Sequence, residues 1–315
     1  MGRRVLVSGG AGFIGSHVAE AYLAEGWDVT VLDDLSRGKR EQVPAGARFV
    51  QADVRSPEAR HLVAGGGFDV VNLQAAQIDV RISVERPDED CDVNLRGLVN
   101  LLVGAREGGV RRVVFASSGG VIYGEAGQVP TPETAPKQPV SPYGVSKLAG
   151  EHYLSALGTL YGFEPVALRY ANVFGPRQDP RSEAGVVSIF VARLLAGESL
   201  TIYGDGRQTR DYVFVRDVAR ANLLAGTVPV APGDGIDASG INIATGGERS
   251  VLALAEAVGT ALGRKPVLEF AAPRAGELQR SALDPGKAGQ VLGWRPVHRF
   301  EEGLEALIAW FREAA

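Results

Sequence analysis

Three glycines spaced three apart, Gly9, Gly12 and Gly15, follow an apolar run from Arg3 to Ser8 and open a stretch that reads as a helix to about Glu25. That order leaves few folds open. The run suits a buried parallel strand. Glycines at such a strand-to-helix turn permit the tight turn, the close approach of a pyrophosphate and close helix–strand packing. The helix start at Phe13 and Ile14 offers unpaired N–H groups and a positive dipole end for phosphates. Gly26 ends the helix, and Asp28 to Leu32 reads as the next strand. Asp33 then stands at its carboxyl end, about 20 residues beyond the glycines, where an acid accepts bonds from an adenosine ribose. Asp33 and Asp34 favour NAD over NADP, because a carboxylate repels the extra phosphate. Arg37, Lys39 and Arg40 follow closely and could offset that repulsion.

The rest of the 315-residue chain must do something with that cofactor. The length suits one nucleotide-binding body plus an added lobe. A net charge of −4 gives no reason to expect nucleic acid or an anionic membrane as partner. No apolar run reaches membrane-spanning length, and Met1-Gly2-Arg3-Arg4 runs straight into a strand, so no signal peptide is expected. Cys91 is the only cysteine, which points to a reducing, cytoplasmic setting. The histidines, His17, His61, His152 and His298, are scattered, and no metal site is expected.

Ser141-Pro142-Tyr143-Gly144-Val145-Ser146-Lys147 carries the second signal. Pro142 suits a first helical turn and Ser141 can cap it. Tyr143 and Lys147, four apart, then share a helix face. A phenol is a poor base at neutral pH, its pKa being about 10, and a neighbouring ammonium favours the phenolate. The pair could therefore take a proton from an alcohol. Upstream, Arg112 to Ser118 reads as a strand ending in hydroxyls, followed by Gly119-Gly120 and Tyr123-Gly124.

The Gly-x-x-Gly-x-x-Gly spacing, the strand-end hydroxyl and the Tyr-x-x-x-Lys helix resemble the extended short-chain dehydrogenase/reductase family, and Arg169-Tyr170-Ala171-Asn172-Val173-Phe174-Gly175-Pro176-Arg177 resembles its nucleotide-sugar epimerases, those of UDP-glucose above all. The resemblance implies an α/β fold: a Rossmann-type doubly wound parallel sheet with a smaller C-terminal α/β substrate-binding lobe. It places the NAD-binding body in 1–172, with 211–250 returning to it, and the lobe in 173–210 and 251–315. Ser36 and Gly38 would touch the adenosine end, Asp53 and Val54 the adenine. Phe49 to Val54 resembles the family's third strand and Asp69 to Gln77 its fourth, where Leu73, Ala75 and Ala76 would let the backbone pass close to the cofactor. Asn94, on a long helical stretch from Asp90 to Gly108, would support the nicotinamide side. Tyr170 would line the nicotinamide.

The same resemblance makes Tyr143, Lys147 and a Ser/Thr the catalytic triad. Counted back from Tyr123-Gly124, that hydroxyl falls on Gly119. Ser118 stands one residue early, and neighbouring strand residues face opposite ways. Either the strand end is irregular and Ser118 reaches in to the substrate, or a Tyr143–Lys147 dyad works with water; Ser118 is the favoured reading. In the lobe, Asn172 and Arg210 would hold the substrate's diphosphate, with Val187, Thr201 and Tyr203 lining the nucleotide. Arg274 and Glu277, in Pro273-Arg274-Ala275-Gly276-Glu277, would grip phosphate and the uridine ribose. A guanidinium fork matches phosphate oxygens in geometry and charge.

The implied activity is NAD-dependent 4-epimerisation of a UDP-sugar through a 4-keto intermediate. UDP-glucuronate and UDP-N-acetylglucosamine are alternative substrates; the small Ser281 leaves space for an N-acetyl group, and Arg81 could meet a carboxylate. A 4,6-dehydratase would need carboxylates where Gly119-Gly120 stands. The reading of another class is a non-catalytic NAD-binding sensor or scaffold. Family members are usually homodimers.

Overall fold

The computed structural model describes residues 2–181, 185–230, 233, 235–274 and 277–314. Six strands rise in chain order through the first half: β1 (Arg4–Ser8), β2 (Asp28–Asp33), β3 (Arg48–Gln51), β4 (Val70–Leu73), β5 (Arg112–Ser118) and β6 (Glu164–Tyr170). The apolar alternation weakens after them. The later strands are β7 (Asn172–Phe174), β8 (Leu200–Tyr203), β9 (Thr209–Arg210), β10 (Tyr212–Phe214), β11 (Gly240–Ile243), β12 (Arg249–Ser250), β13 (Leu268–Ala271) and β14 (Arg280–Ser281).

Among the described residues, seven strands form one sheet in the order β11-β6-β5-β4-β1-β2-β3, and all pairs are parallel. The order reverses between β1 and β4, which opens a crevice beyond their carboxyl ends. This is the doubly wound sheet that the glycine spacing implies. Its strands are apolar on both faces because helices cover both. On one face Val5, Val7, Val29 and Val31 pack with Val18, Ala19 and Tyr22 of the Phe13–Ala24 helix. On the other, Leu6, Val71 and Phe115 pack with Leu98, Leu101 and Leu102. Ser141 caps the Pro142–Tyr161 helix, its hydroxyl accepting from Gly144 N at 3.2 Å, and the left-handed Gly162 ends it. These are the signals on which the sequence reading of that helix rests.

The long helix expected over Asp90–Gly108 is interrupted. Helical turns at Pro87–Cys91 and Gly97–Glu107 flank a π segment, Asp92–Arg96. Asn94 lies in that segment. The third and fourth strands are shorter than expected, so Asp53, Ala75 and Ala76 lie in the loops after them.

The lobe has its own core of Phe174, Val187, Phe190, Leu200, Ile202, Leu254, Leu304 and Leu307. β9, β12 and β14 form a small mixed sheet, and β13 pairs with β8. The expected boundary differs at the C-terminus. Ala288, Leu292 and Trp294 pack in the core of the cofactor body, not the lobe. Trp294 is fully buried and its indole donates to Asp217 O at 2.9 Å. An indole of that area is best removed from water where a partner for its N–H exists, and the Val215–Thr227 helix offers one. No helix among the described residues is long and apolar enough to cross a membrane.

Candidate active site

The glycine turn is shaped for something to pass close by. A Cβ on Gly15 would lie 2.1 Å from Gly9 O, and one on Gly9, at φ +68°, would lie 2.6 Å from Ala75 N. The first helical bond runs from Ser16 N to Gly12 O at 3.1 Å. The amides of Phe13, Ile14 and Gly15 are thus the open N–H groups of the helix start, and Gly12 brings no side chain to cap them. Asp33 closes the cradle. Its carboxylate accepts from Ala11 N at 3.0 Å and Leu35 N at 2.9 Å. Gly38 approaches so closely that a Cβ there would meet Asp33 Oδ1 at 2.8 Å. Asp34 accepts from Ser36 N at 2.8 Å and its hydroxyl at 2.6 Å. Arg40 lies over the Phe49 ring, 4.6 Å from its centroid. It therefore does not counter Asp33.

Other expected cofactor residues are engaged differently. Asp53 faces Arg55, which donates to it at 2.9 Å and also pairs with Asp92 at 2.7 Å. Val54 packs against Gly97, whose Cβ would lie 2.7 Å from Val54 Cγ2. Leu73 is buried in the core, which leaves its backbone rather than its side chain to face a ligand. Asn94 is buried, its amide donating to Gln77 O at 3.0 Å and Asp90 Oδ1 at 2.9 Å while its oxygen accepts from Gln77 N at 2.9 Å. It fixes the segment after β4. Tyr170 is turned into the core under the Phe13–Ala24 helix, and its hydroxyl donates to Asn222 Oδ1 at 3.0 Å. Burial pushes that phenol up to about 12. A phenol so tied is part of a buried amide network with Asn72, Gln74 and Asn222.

At the end of β5 the hydroxyl question has a clear geometry. Ser118 lies beside the Tyr143 phenol, near enough to favour its charged form. Ser117, facing the other way, donates to Glu151 Oε1 at 2.5 Å. Gly119 already belongs to the short helix Gly119–Ile122, and a Cβ there would strike Leu283 Cδ1 at 2.3 Å. The one-residue offset arises because the strand ends at Ser118 and the chain turns into a helix at once.

The sequence reading of Lys147 needs correction. The spacing alone predicts an ammonium that draws the phenol down. In the structure Lys147 Nζ donates to Ala116 O at 2.8 Å, with the Tyr143 ring centroid 5.7 Å away. Burial pushes the Tyr143 phenol up from its ordinary value, Asp90 adds to that, and the Ser118 hydroxyl works against it. Burial pushes Lys147 down to about 8, while Asp90 and Glu151 hold it up. Both side chains are buried, so desolvation of the charged forms outweighs their mutual attraction.

Beneath this pair lies a network without a signal in the sequence. Glu151 and Arg169 form an ion pair with both side chains fully buried, Arg169 donating at 2.7 Å. Arg169 also donates to Tyr123 OH at 3.0 Å, and Tyr123 donates to Asn242 Oδ1 at 2.9 Å.

In the lobe, Arg210 donates to the Thr209 and Leu278 carbonyls, each at 2.8 Å, and pairs with Glu277 at 3.3 Å. Arg274 stacks on Tyr203, 4.0 Å from the ring centroid. Ala275 and Gly276 of the same motif lie outside the described residues. Thr201 accepts from Arg193 at 2.8 Å. Asn172 is half-buried on β7, its N–H donating to Asp211 O at 2.9 Å. Val187 is corrected: only 2% exposed, it belongs to the lobe core and has no face to offer a nucleotide. Among the described residues no three His, Cys, Asp or Glu side chains cluster as metal ligands.

Residues 5–239 match the NAD dependent epimerase/dehydratase family. The chain is 44% identical to a UDP-glucose 4-epimerase of Mycolicibacterium smegmatis, over 98% of each chain. It is 47% identical to the crystal structure of a Thermus thermophilus UDP-glucose 4-epimerase in complex with NAD, covering 99% of this chain and 100% of that one, with a TM-score of 0.91. A Thermotoga maritima UDP-glucose 4-epimerase with UDP-glucose superposes with a TM-score of 0.92 at 42% identity, over 99% of both chains.

Proposed function

The chain belongs to the NAD dependent epimerase/dehydratase family, and we propose that it epimerises carbon 4 of a UDP-sugar, interconverting UDP-glucose and UDP-galactose. One observation carries the reading: Ser118, at the carboxyl end of β5, stands near enough to the Tyr143 phenol to favour its charged form, at the same end of the sheet as the glycine cradle and beside Lys147. The cradle fits a dinucleotide, since Gly9 and Gly15 leave no space for a Cβ and three amides at the helix start stay open. The Phe13, Ile14 and Gly15 amides hold the pyrophosphate, and Asp33 holds the adenosine ribose. Bound there, NAD supplies the acceptor and later the donor of a hydride, so the reaction is redox-neutral.

The protein's own groups manage the proton. Tyr143 as phenolate takes the proton of the sugar 4-hydroxyl and later returns it. Its raised value means that this needs help: donation from Ser118 and the Lys147 charge both favour the phenolate as water is excluded. Asn172, Arg210 and Arg274 hold the diphosphate while the sugar turns, with Thr201 and Tyr203 beside the uracil and Glu277 at the ribose. Arg210 is partly neutralised by Glu277, which keeps a half-buried guanidinium in place until phosphate arrives. A second substrate, UDP-N-acetylglucosamine, is favoured by Ser281, a small side chain on β14 in register with Arg210. Two copies pair through the Pro142–Tyr161 helix, where Val145, Tyr153 and Leu160 are exposed. Cys91 as the only cysteine fits a cytoplasmic enzyme.

The test is incubation of the purified protein with UDP-galactose and a panel of UDP-sugars, read by NMR. Product from the wild type, falling by about 10² or more in Tyr143→Phe, supports the reading. Turnover of none of them would leave a non-catalytic NAD-binding protein.

A further inference from the structure

We infer that Asp90 is a positioning residue: its buried carboxylate is the counter-charge that keeps Lys147 an ammonium. The inference rests on the reading of Tyr143 and Lys147 as the reacting pair.

Asp90 is fully buried where the Pro87–Cys91 helix meets the π segment. One oxygen accepts from the Ser146 hydroxyl at 2.6 Å. The other accepts from Asn94 Nδ2 at 2.9 Å and Gln77 Nε2 at 3.1 Å. All three donors are neutral. A carboxylate removed from water this completely is costly unless a cation stands near. The residue after Ser146 is Lys147, whose ammonium is equally cut off from water and gives its hydrogen bond to the Ala116 carbonyl, not to a carboxylate. Two buried opposite charges on adjoining helices are thus joined through one serine.

The other groups around Lys147 do not replace Asp90. On its own helix stand Tyr143, which is neutral while protonated, and Glu151. From β5 come the Phe115 ring, 4.9 Å from Nζ, the Ala116 carbonyl and Ser118. Glu151 is already matched by Arg169 of β6, and it accepts from Ser117 too. It adds to the field at Lys147, but Asp90 is the carboxylate there whose hydrogen-bond partners, Ser146, Asn94 and Gln77, include no cation. The titration directions agree, since Asp90 acts to hold the Lys147 value up against burial. The same carboxylate anchors Gln77 and Asn94, so the charge on Lys147 and the placement of the segment after β4 depend on one group.

The chain has only five lysines, so the ε-carbon of Lys147 can be followed by NMR in 13C-lysine-labelled full-length protein, assigned with Lys147→Arg. Asp90→Asn should lower the Lys147 midpoint by at least about one pH unit. Ser146→Ala, which breaks the contact but keeps the charge, should leave it within a few tenths. An unmoved midpoint in Asp90→Asn, or an equal fall in Ser146→Ala, overturns the inference. Should Asp90→Asn not fold, the Asp90 carboxyl carbon of the wild type decides. A step at the Lys147 midpoint supports the coupling, and its absence overturns it. Turnover of UDP-galactose by the same wild-type sample is read separately. Its absence removes the functional reading, whereas the lysine midpoint judges Asp90 alone.

Discussion

Lys147 donates to the carbonyl of Ala116, 2.8 Å away, and not to the phenol of Tyr143 four residues before it. Its ammonium is lost at about pH 8 because burial outweighs the nearby carboxylates. An ammonium whose folded value lies below the unfolded 10.5 binds fewer protons folded than unfolded between those limits. Stability therefore rises with pH across that window. Turnover should move the opposite way, falling about tenfold per pH unit above 8 as the charge goes. Lys147→Arg keeps its charge at every accessible pH and should lose this alkaline limb, at a lower plateau. Rate–pH profiles of both proteins check the claim. An alkaline limb shared by both would assign it elsewhere.

Ser118→Ala removes the hydroxyl beside the Tyr143 phenol and should lower kcat by about 10² with the fold intact. Gly119→Ser should not compensate for it. The new Cβ would press on Leu283, itself 2% exposed in the core, and cost about 1–3 kcal/mol. Urea unfolding with kcat for both single variants and the double separates the two effects. Recovered turnover in the double variant would show that the hydroxyl can be moved by one residue.

Arg169→Met leaves Glu151 buried without its cation and should destabilise the protein by about 3–5 kcal/mol. Adding Glu151→Leu should recover most of that, because two apolar side chains need no partner. Thermal unfolding of the single and double variants is the measurement.

Gly15→Ala should abolish NAD retention while leaving the helix formed, since the added methyl would collide with Gly9 O at 2.1 Å and force the turn open. NAD content after gel filtration and far-UV circular dichroism together test it. Unchanged NAD content would mean that the turn gives way cheaply.

The parts legible in the sequence are those governed by neighbours in the chain. Ser141, Pro142 and Gly162 define the Tyr143 helix by local capping, and Gly9, Gly12 and Gly15 define the turn by their lack of Cβ. What escaped reading depends on distant partners. Ser117 meets Glu151 34 residues on, and Ser146 meets Asp90 56 residues back. Nothing in the local pattern distinguishes Asp90 from Asp88 or Asp92 beside it, because all three suit a helix start. The side chains of Val187 and Leu73 go the other way, into the core. Their motif positions suggest contact, but an apolar side chain beside a site packs into the core when the core is nearer. The phenol–ammonium pair misled because spacing reports which groups share a face and not how much water they have lost.

The return of Ala288, Leu292 and Trp294 to the first body, ahead of Leu304 and Leu307 in the lobe core, breaks the substrate lobe into separate pieces of chain. Anyone transplanting the sugar-recognising half from a relative would have to stop the first exchanged piece before Gly286 and resume it after Trp294. Cutting further along would swap the indole beneath Asp217 together with the specificity loops, and the recipient would inherit a wedge made for someone else's keyhole.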